Sequence, residues 1–485
     1  MNENLGQTLS LLYVLPFVGM LLSIAVIPLI NGEWWDKKKP YFVIGWSLLF
    51  LIPFTIQYGI GEAAGRFTEV VVGDYLTFIV LLFGLFCVAG NITIKGELSG
   101  SPVSNLIQLL IGTLLAGWVG TTGASMLLVR PLLKGNSWRK RKAHTFIFMI
   151  FMVANLGGAL TPVGDPPLLM GFMRGIPFFW STTHLLPMML FNIVILSVVY
   201  MIFETRAYKK DVADGLRPEA LDKKAQHKFT ENVEKNIIKD AENELAEDAD
   251  LLEGQEKFRI EGAHNIIFLI AIVGAVILSG VLPGLKAFQN ADGSVIGINI
   301  LGTVLSVPSI IELAIILLAS LLSFKTTKKE VRDANQFSWA AIEEVAVLFI
   351  GIFITMVPAL MILKAKGASL GLTEPWQMFW STGVLSSFLD NTPTYLVFLT
   401  TAGALGETTG VATTVGMVHV KMLEAISCGA VFMGANTYIG NAPNFMVCSI
   451  SKENGVKMPS FFGYMGWSCA ILIPVFIIDT LVFFL

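Results

Sequence analysis

Gly158-Ala159-Leu160-Thr161-Pro162-Val163-Gly164-Asp165-Pro166-Pro167-Leu168-Leu169-Met170 is echoed 276 residues later by Gly434-Ala435-Asn436-Thr437-Tyr438-Ile439-Gly440-Asn441-Ala442-Pro443-Asn444-Phe445-Met446, with six of the thirteen positions identical. Each copy interrupts a long apolar segment with glycine, proline and oxygen-bearing side chains. In the hydrocarbon of a bilayer an unpaired backbone group costs several kcal/mol, so such a break is tolerated only where protein covers it or a cavity hydrates it. A broken helix repeated in two halves predicts the binding site of a secondary transporter.

The flanking sequence fits a bilayer. Hydrophobic residues make up 54% of the chain and charged residues 14%, and many apolar runs reach the roughly 18 to 20 residues that span a membrane. The prediction is an all-α polytopic membrane protein. The net charge of −3 says little, because charge in such a chain matters loop by loop. The basic clusters are short and sit between apolar runs, which leaves no nucleic-acid footprint. The run from about 9 to 30 is too long for a signal-peptide core and is expected to stay as the first helix. Cys87, Cys428, Cys448 and Cys469 lack metal-ligand spacing and are expected to pack in the core. No resident cofactor is expected.

Basic loops set the orientation. Lys37 to Lys39, Arg139 to Lys142, Lys209-Lys210, the Lys325 to Arg332 loop and Lys452/Lys457 all belong on the cytoplasmic side under the positive-inside rule. Spans at about 10–30, 41–60 and 73–90 then bring the chain to the cytoplasm. The apolar region at about 104–133 starts and ends there, so it must be a re-entrant hairpin, broken near Gly120-Thr121-Thr122-Gly123-Ala124-Ser125. Limbs of about fourteen residues at about 1.5 Å each fall short of a bilayer core. A broken helix over 143–170 runs outward, Phe178-Phe179-Trp180 suits the interface, and a helix near 185–203 returns.

Residues 205–261 are polar and poor in aromatics, and cannot bury enough apolar surface to form a domain. They are expected to be a cytoplasmic linker between a first repeat, 1–204, and a second, 262–485. The second half carries the same parts in the same order: spans near 263–285, 309–324 and 338–363, an interrupted region at 376–401, the second broken helix and a last span near 461–484. Five crossings in the first half turn the second upside down, giving two inverted repeats. Residues 295–308 fit either a loop or a further re-entrant piece.

The tip of the second hairpin reads Ser386-Ser387-Phe388-Leu389-Asp390-Asn391-Thr392-Pro393-Thr394. A carboxylate at a membrane helix centre costs about 2.5 to 3.5 kcal/mol on insertion scales, so Asp390 and Asp165 are read as functional. The alternative is that each caps a half-helix. A sodium ion wants oxygen ligands, which broken helices supply as freed carbonyls. Thr161, Thr392, Thr437, Asn391, Asn436 and Asn441 add side-chain oxygens. A carboxylate among them can hold a metal ion or a proton, and competition for one group is a physical basis for antiport. Thr122 and Ser125 are the neutral candidates of the first hairpin, where the second carries Asp390. Asn155 either lines the cavity or bonds a neighbouring helix. Glu344, near the start of a span, is the further acidic candidate. Asp74, Glu312, Lys421, Glu424 and Asp479 are expected at the outer interface.

Asn155-Leu156-Gly157-Gly158-Ala159-Leu160-Thr161-Pro162-Val163-Gly164-Asp165, taken with Ser386-Ser387-Phe388-Leu389-Asp390-Asn391-Thr392-Pro393, resembles the ion-transporter superfamily, and within it the NhaD-type sodium/proton antiporters and the CitMHS-like citrate transporters. The resemblance covers nearly all the chain outside the linker. It implies a homodimer of elevator transporters in a bacterial-type inner (plasma) membrane, with a scaffold at the dimer interface and a mobile body carrying hairpins and broken helices. Dicarboxylate carriers of this group show a Ser-Asn-Thr signature at each tip. Here the tips read Thr122-Gly123-Ala124-Ser125 and Leu389-Asp390-Asn391-Thr392, and the acid at the second resembles the antiporters more. Asp165, Asp390, Asn391, Thr392, Asn436 and Thr437 are the positions carried over, with Asp165 and Asp390 holding the transported sodium. The acidic residue that precedes a Phe-x-Gly in many relatives is only loosely matched by Glu344 before Phe349-Ile350-Gly351.

The first functional expectation is therefore sodium/proton exchange. The second is sodium- or metal-coupled import of citrate or another carboxylate, for which Arg130 is the one cation near a tip and is expected to snorkel toward the basic loop. An aspartyl-protease dyad is disfavoured, because Pro162-Val163-Gly164-Asp165 departs from Gly-x-Gly-Asp and a protease has no use for the repeat.

Overall fold

The computed structural model describes residues 5–95, 100–216, 259–335 and 337–485. Ten of its helices are long and apolar enough to cross a membrane, and the strands are confined to three two-stranded ribbons. The chain is an integral multi-pass membrane protein.

The first half opens with α1 (Leu15–Tyr58), bent at Asn31 (φ −155°, ψ 91°). Lys37 to Lys39 were expected in a loop, yet they lie inside this helix. Long basic side chains can leave the helix surface for polar partners, so no loop is needed: Lys39 reaches Asp36 at 3.4 Å and Glu344 at 3.3 Å. Next come α2 (Ile60–Thr68), a π-helical turn (Glu69–Tyr75) and α3 (Leu76–Ala89). Strand β1 (Thr93–Lys95) pairs antiparallel with β2 (Arg259–Glu261), tying the end of the polar linker region to the segment that follows α3. Most of that linker, 217–258, lies outside the described residues. Its first part is helix, since α8 (Trp180–Ala213) runs past the expected boundary at 204.

Between them lie α4 (Pro102–Val119) and α5 (Thr121–Gly135), the first hairpin, and α6 (Ala143–Met152) and α7 (Pro166–Met173), the first broken helix. Ser101 caps α4 by accepting from Ser104 N, with Pro102 in the first turn where no donor is lost. Gly120 at the tip has φ 81° and ψ 149°, a backbone conformation that a side chain would oppose. At 18 residues α4 exceeds the expected limb and is long enough to span by length alone. Its tip nevertheless ends in the protein centre against the break.

The second half repeats the parts as α9 (Asn265–Val281), α10 (Val307–Thr326), α11 (Ala340–Lys366), the hairpin α12 (Pro375–Phe388) and α13 (Asn391–Gly403), the broken helix α14 (Val420–Met433) and α15 (Ala442–Glu453), and α16 (Phe461–Asp479). The segment left open between loop and re-entrant piece is an exposed ribbon, β3 (Gly297–Ile300) with β4 (Thr303–Ser306). A third ribbon, β5 (Val411–Thr413) with β6 (Gly416–Val418), follows the second hairpin.

Contacts at the ends show the inversion. Lys142 at the start of α6 donates to Asn136 O and Ser137 O at the base of the first hairpin. At the end of α7, Arg174 O accepts from Thr414 N beside the second hairpin. The other broken helix runs the opposite way, from His419 after β6 to Asn454, which borders a cavity with Lys134 and Lys142. The two hairpins therefore enter from opposite faces. Lys134, Lys142, Asp333 and Asn454 share that one cavity, so the basic segments of both halves gather on one face.

Two bodies result. Helices α1, α2, α3, α9, α10 and α11 pack on one another as a scaffold, and the hairpins, broken helices, α8 and α16 form the second body. The first broken helix is its centre: 94% of residues 143–160 are buried, against 22% of an 18-residue apolar stretch within 30–58 in the scaffold.

Several expectations about polar and aromatic residues need correction. Asp479 and Glu312 lie near helix ends but are enclosed by protein, being 0% and 3% exposed, and Asp479 accepts from buried Asn192 at 2.9 Å. Phe178 and Trp180 are buried and only Phe179 is exposed, because the turn between α7 and α8 folds back on the body. Cys469 is exposed on α16 while the other three cysteines are buried. Arg139 belongs to no solvated loop: at 2% exposure it pairs with Glu204 (2.7 Å) and Asp211 (2.8 Å), and Glu204 also meets His144 at 2.5 Å. Full pairing offsets the desolvation of these charges, and the cluster fastens the end of α8 to the base of the first hairpin through Asn105.

Candidate functional site

Proline acts directly on the first break. It disfavours helical backbone in the residue before it, and Asp165 (φ −143°, ψ 139°) before Pro166 is extended. In the second copy Asn441 (φ −150°, ψ 138°) is extended in the same way, with Pro443 in the first turn that follows. The backbone groups freed at the breaks are satisfied in matching fashion. Thr161 Oγ1 donates to Gly117 O and accepts from Val163 N, and Thr437 Oγ1 donates to Ser387 O and accepts from Ile439 N. Leu160 O accepts from Thr182 at 2.6 Å, and Asn436 O from Ser468 at 2.7 Å.

These bonds fix the register between repeats. Gly117 corresponds to Ser387, so Gly120 corresponds to Asp390 and Thr121 to Asn391, while Asp165 corresponds to Asn441. The neutral counterpart of Asp390 is therefore Gly120, not Thr122 or Ser125 as expected.

Asp165 is wholly buried and lies where all four interrupted elements meet. Its carboxylate accepts from Thr121 Oγ1 (3.2 Å), Asn441 Nδ2 (3.3 Å) and Asn391 Nδ2 (2.6 Å). Those donors come from the first hairpin, the second broken helix and the second hairpin. Although it occupies the cap position of α7, its side chain makes no capping bond. Asp390 does cap: its Oδ1 accepts from Thr392 N at 2.9 Å. It also faces a cavity of about 520 Å³, so capping and cavity lining coexist there.

That cavity is bordered by Thr121, Thr122, Pro166, Asn391, Ala442 and Pro443, the amino-terminal residues of α5, α7, α13 and α15. Four half-helix amino termini bring partial positive charge to one space, with backbone N–H donors from α5, α13 and α15 only, since α7 opens on Pro166-Pro167. Its remaining wall runs along Glu344, Ser449 and Glu453 toward the basic face. Among the described lining residues there is no lysine or arginine, and Asp390, Glu344 and Glu453 supply acid. Glu344 is held by Lys39, with 43% of its side chain exposed. Arg130 lies ten residues past the tip and borders the separate basic cavity with Lys134 and Lys142.

The other candidates divide. Asn155 is a link between repeats: its Nδ2 donates to Asn444 Oδ1 at 2.7 Å and its Oδ1 accepts from Asn441 at 3.4 Å. Asn436 donates to Ser387 Oγ at 2.9 Å and, with Thr161, Thr437 and Ser125, lies outside the cavity wall. Neither buried Ser125 Oγ nor Asn436 Oδ1 has a hydrogen-bond partner among the described residues. Sequence reasoning missed three residues. Thr121 stood within the interruption at 120–125 but was passed over, because the tip was read as Thr122 to Ser125 and the helix restarts directly after Gly120. Asn444 donates to Gly434 O and Thr437 O (2.8 and 2.9 Å), and its polarity opposite Leu168 was the available signal. Glu453 stands next to Lys452, in a segment that the sequence marked only by its basic residues.

No curated protein matches the chain. The family model described as "Putative citrate transport" matches residues 6–484, which falls on the citrate side of the resemblance and not on the antiporter side. The match spans nearly the whole polypeptide, both repeats included, and the chain accordingly belongs to that family of membrane transporters.

Proposed function

We propose that this protein carries citrate or a related polycarboxylate across the membrane together with a cation. The observation that carries the reading is the cavity's wall: four half-helix amino termini turn their positive ends toward it, three of them with N–H donors for carboxylates, while Asp390, Glu344 and Glu453 would repel a bare polyanion. A co-bound cation, sodium or a divalent metal, removes that repulsion. The volume suits a small ligand. The carboxylate would meet Thr121, Thr122 and Asn391, with Asp390 nearest the cation. Asp165, with every donor around it neutral, would tie the hairpin tips and exchange a proton as they rearrange. Movement of the second body against the scaffold, in a homodimer in a bacterial-type plasma membrane, is the proposed route of alternating access.

Sodium/proton exchange is the second reading, favoured by the buried Asp165 beside Asp390 without a neighbouring basic side chain. Proteoliposomes with an internal pH dye separate the two. Labelled citrate uptake stimulated by sodium, magnesium or calcium is the expected result. Sodium-driven proton movement with no citrate uptake would transfer the assignment to exchange.

A further inference from the structure

The cavity leads from the hairpin tips toward the basic face, and an ion pair joins the two bodies on the opposite side. Arg174 closes α7, and its Nη1 and Nη2 donate to Asp74 Oδ1 and Oδ2, each at 2.7 Å. Two parallel bonds of this kind are the most directional pairing that arginine and a carboxylate can make. Asp74 belongs to the scaffold and is 8% exposed; Arg174 belongs to the second body. The ion pairs of Lys39 with Glu344, Arg139 with Glu204 and Lys421 with Glu424 each stay within one body.

Local backbone serves this contact on both sides. Asp74 lies in the π-helical turn Glu69–Tyr75, whose extra residue per turn rotates the helix face against its neighbours. Arg174 is followed by Gly175 at φ 98°, and its carbonyl accepts from Thr414 N at 2.8 Å beside the ribbon at the base of the second hairpin. Counted from Ala89 at the basic-face end of its helix, Asp74 is fifteen residues away, about 22 Å. That depth lies beyond the hairpin tips, on the face from which the second hairpin enters.

We infer that Asp74 and Arg174 are positioning residues of the transport cycle, a clasp that keeps the face opposite the cavity shut and must part before the site can open there. The inference rests on the alternating-access reading proposed above. Fully paired charges at low exposure are costly to separate, so the clasp sets how often the far side opens without touching substrate.

The test does not use citrate, so it stands apart from the transport assay. A Met446→Cys reporter on the cavity wall, in a Cys469→Ser background, is labelled with a membrane-impermeant maleimide from each side of oriented proteoliposomes. The parent is expected to label from the basic-loop side. Asp74→Asn and Arg174→Gln are each expected to raise labelling from the opposite side several-fold, Arg174→Lys less, and the exchange Asp74→Arg/Arg174→Asp to bring it back toward the parent. Should a single variant fail to fold, the exchange and Arg174→Lys carry the same comparison. Far-side labelling that stays at the parent level without the pair, or that the exchange leaves raised, overturns the clasp.

Discussion

The two breaks share a backbone and differ in charge. Around 161 and around 437 the same threonine staples the same hairpin carbonyl and the same glycine follows three residues on, yet one repeat ends its break with Asp165 and the other with Asn441. At the tips the asymmetry reverses, Gly120 standing opposite Asp390. Each repeat thus contributes one carboxylate from a different element. The acid on the broken helix is locked by three neutral donors, and the acid on the hairpin caps a helix and looks into the cavity. Symmetry of the chain path builds the cradle, and asymmetry of two side chains gives it separate tasks.

Exchanging those side chains is the strongest way to break the comparison. Asp165→Asn turns one acceptor oxygen into an N–H₂ group, which then faces either Asn391 alone or Thr121 with Asn441, a buried mismatch of about 1 to 3 kcal/mol. Transport is expected to fall on the order of a hundredfold or more, measured as initial uptake in proteoliposomes. Adding Asn441→Asp restores a carboxylate across the pseudo-twofold and is expected to recover part of the rate. No recovery would show that the acid must sit on the first break.

Asp390→Asn sharpens the contrast, because asparagine caps as well as aspartate. Thermal stability is expected to hold while the cation concentration for half-maximal uptake rises about tenfold, equivalent to about 1.4 kcal/mol. Asp390→Ala should add a loss of about 1 kcal/mol in stability from the missing cap, visible as a lowered melting temperature. Gly120→Ala, at φ 81°, is expected to cost about 1 kcal/mol of strain and to lower expression or melting temperature more than it alters substrate affinity. Glu344→Gln is the mildest: its carboxylate is partly exposed and already paired with Lys39, so a change of about 0 to 1 kcal/mol is expected, read as a less than fivefold shift in apparent citrate affinity.

Amphipathic spacing did not have to be consulted to find the site. Proline and glycine inside apolar runs break helices wherever the chain folds, so the breaks at 161–165 and 437–441 follow from local sterics. Long apolar runs separated by basic clusters likewise fixed an all-α membrane protein with two inverted halves. Local chemistry also marks Asp165 and Asp390 as costly and therefore purposeful. Which of them caps and which is enclosed depends on neighbours 44 and 226 residues away in sequence, Thr121 and Asn391, and no local rule ranks those partners. The same holds for Arg139, whose basic run gave no hint of burial against Glu204 and Asp211, and for Asp74, whose partner lies 100 residues on. Breaks and spans are set by what a residue does to its own backbone, which sequence determines. Pairing between buried polar groups is set by which distant segments packing brings within 3 Å, and only the tertiary structure decided that.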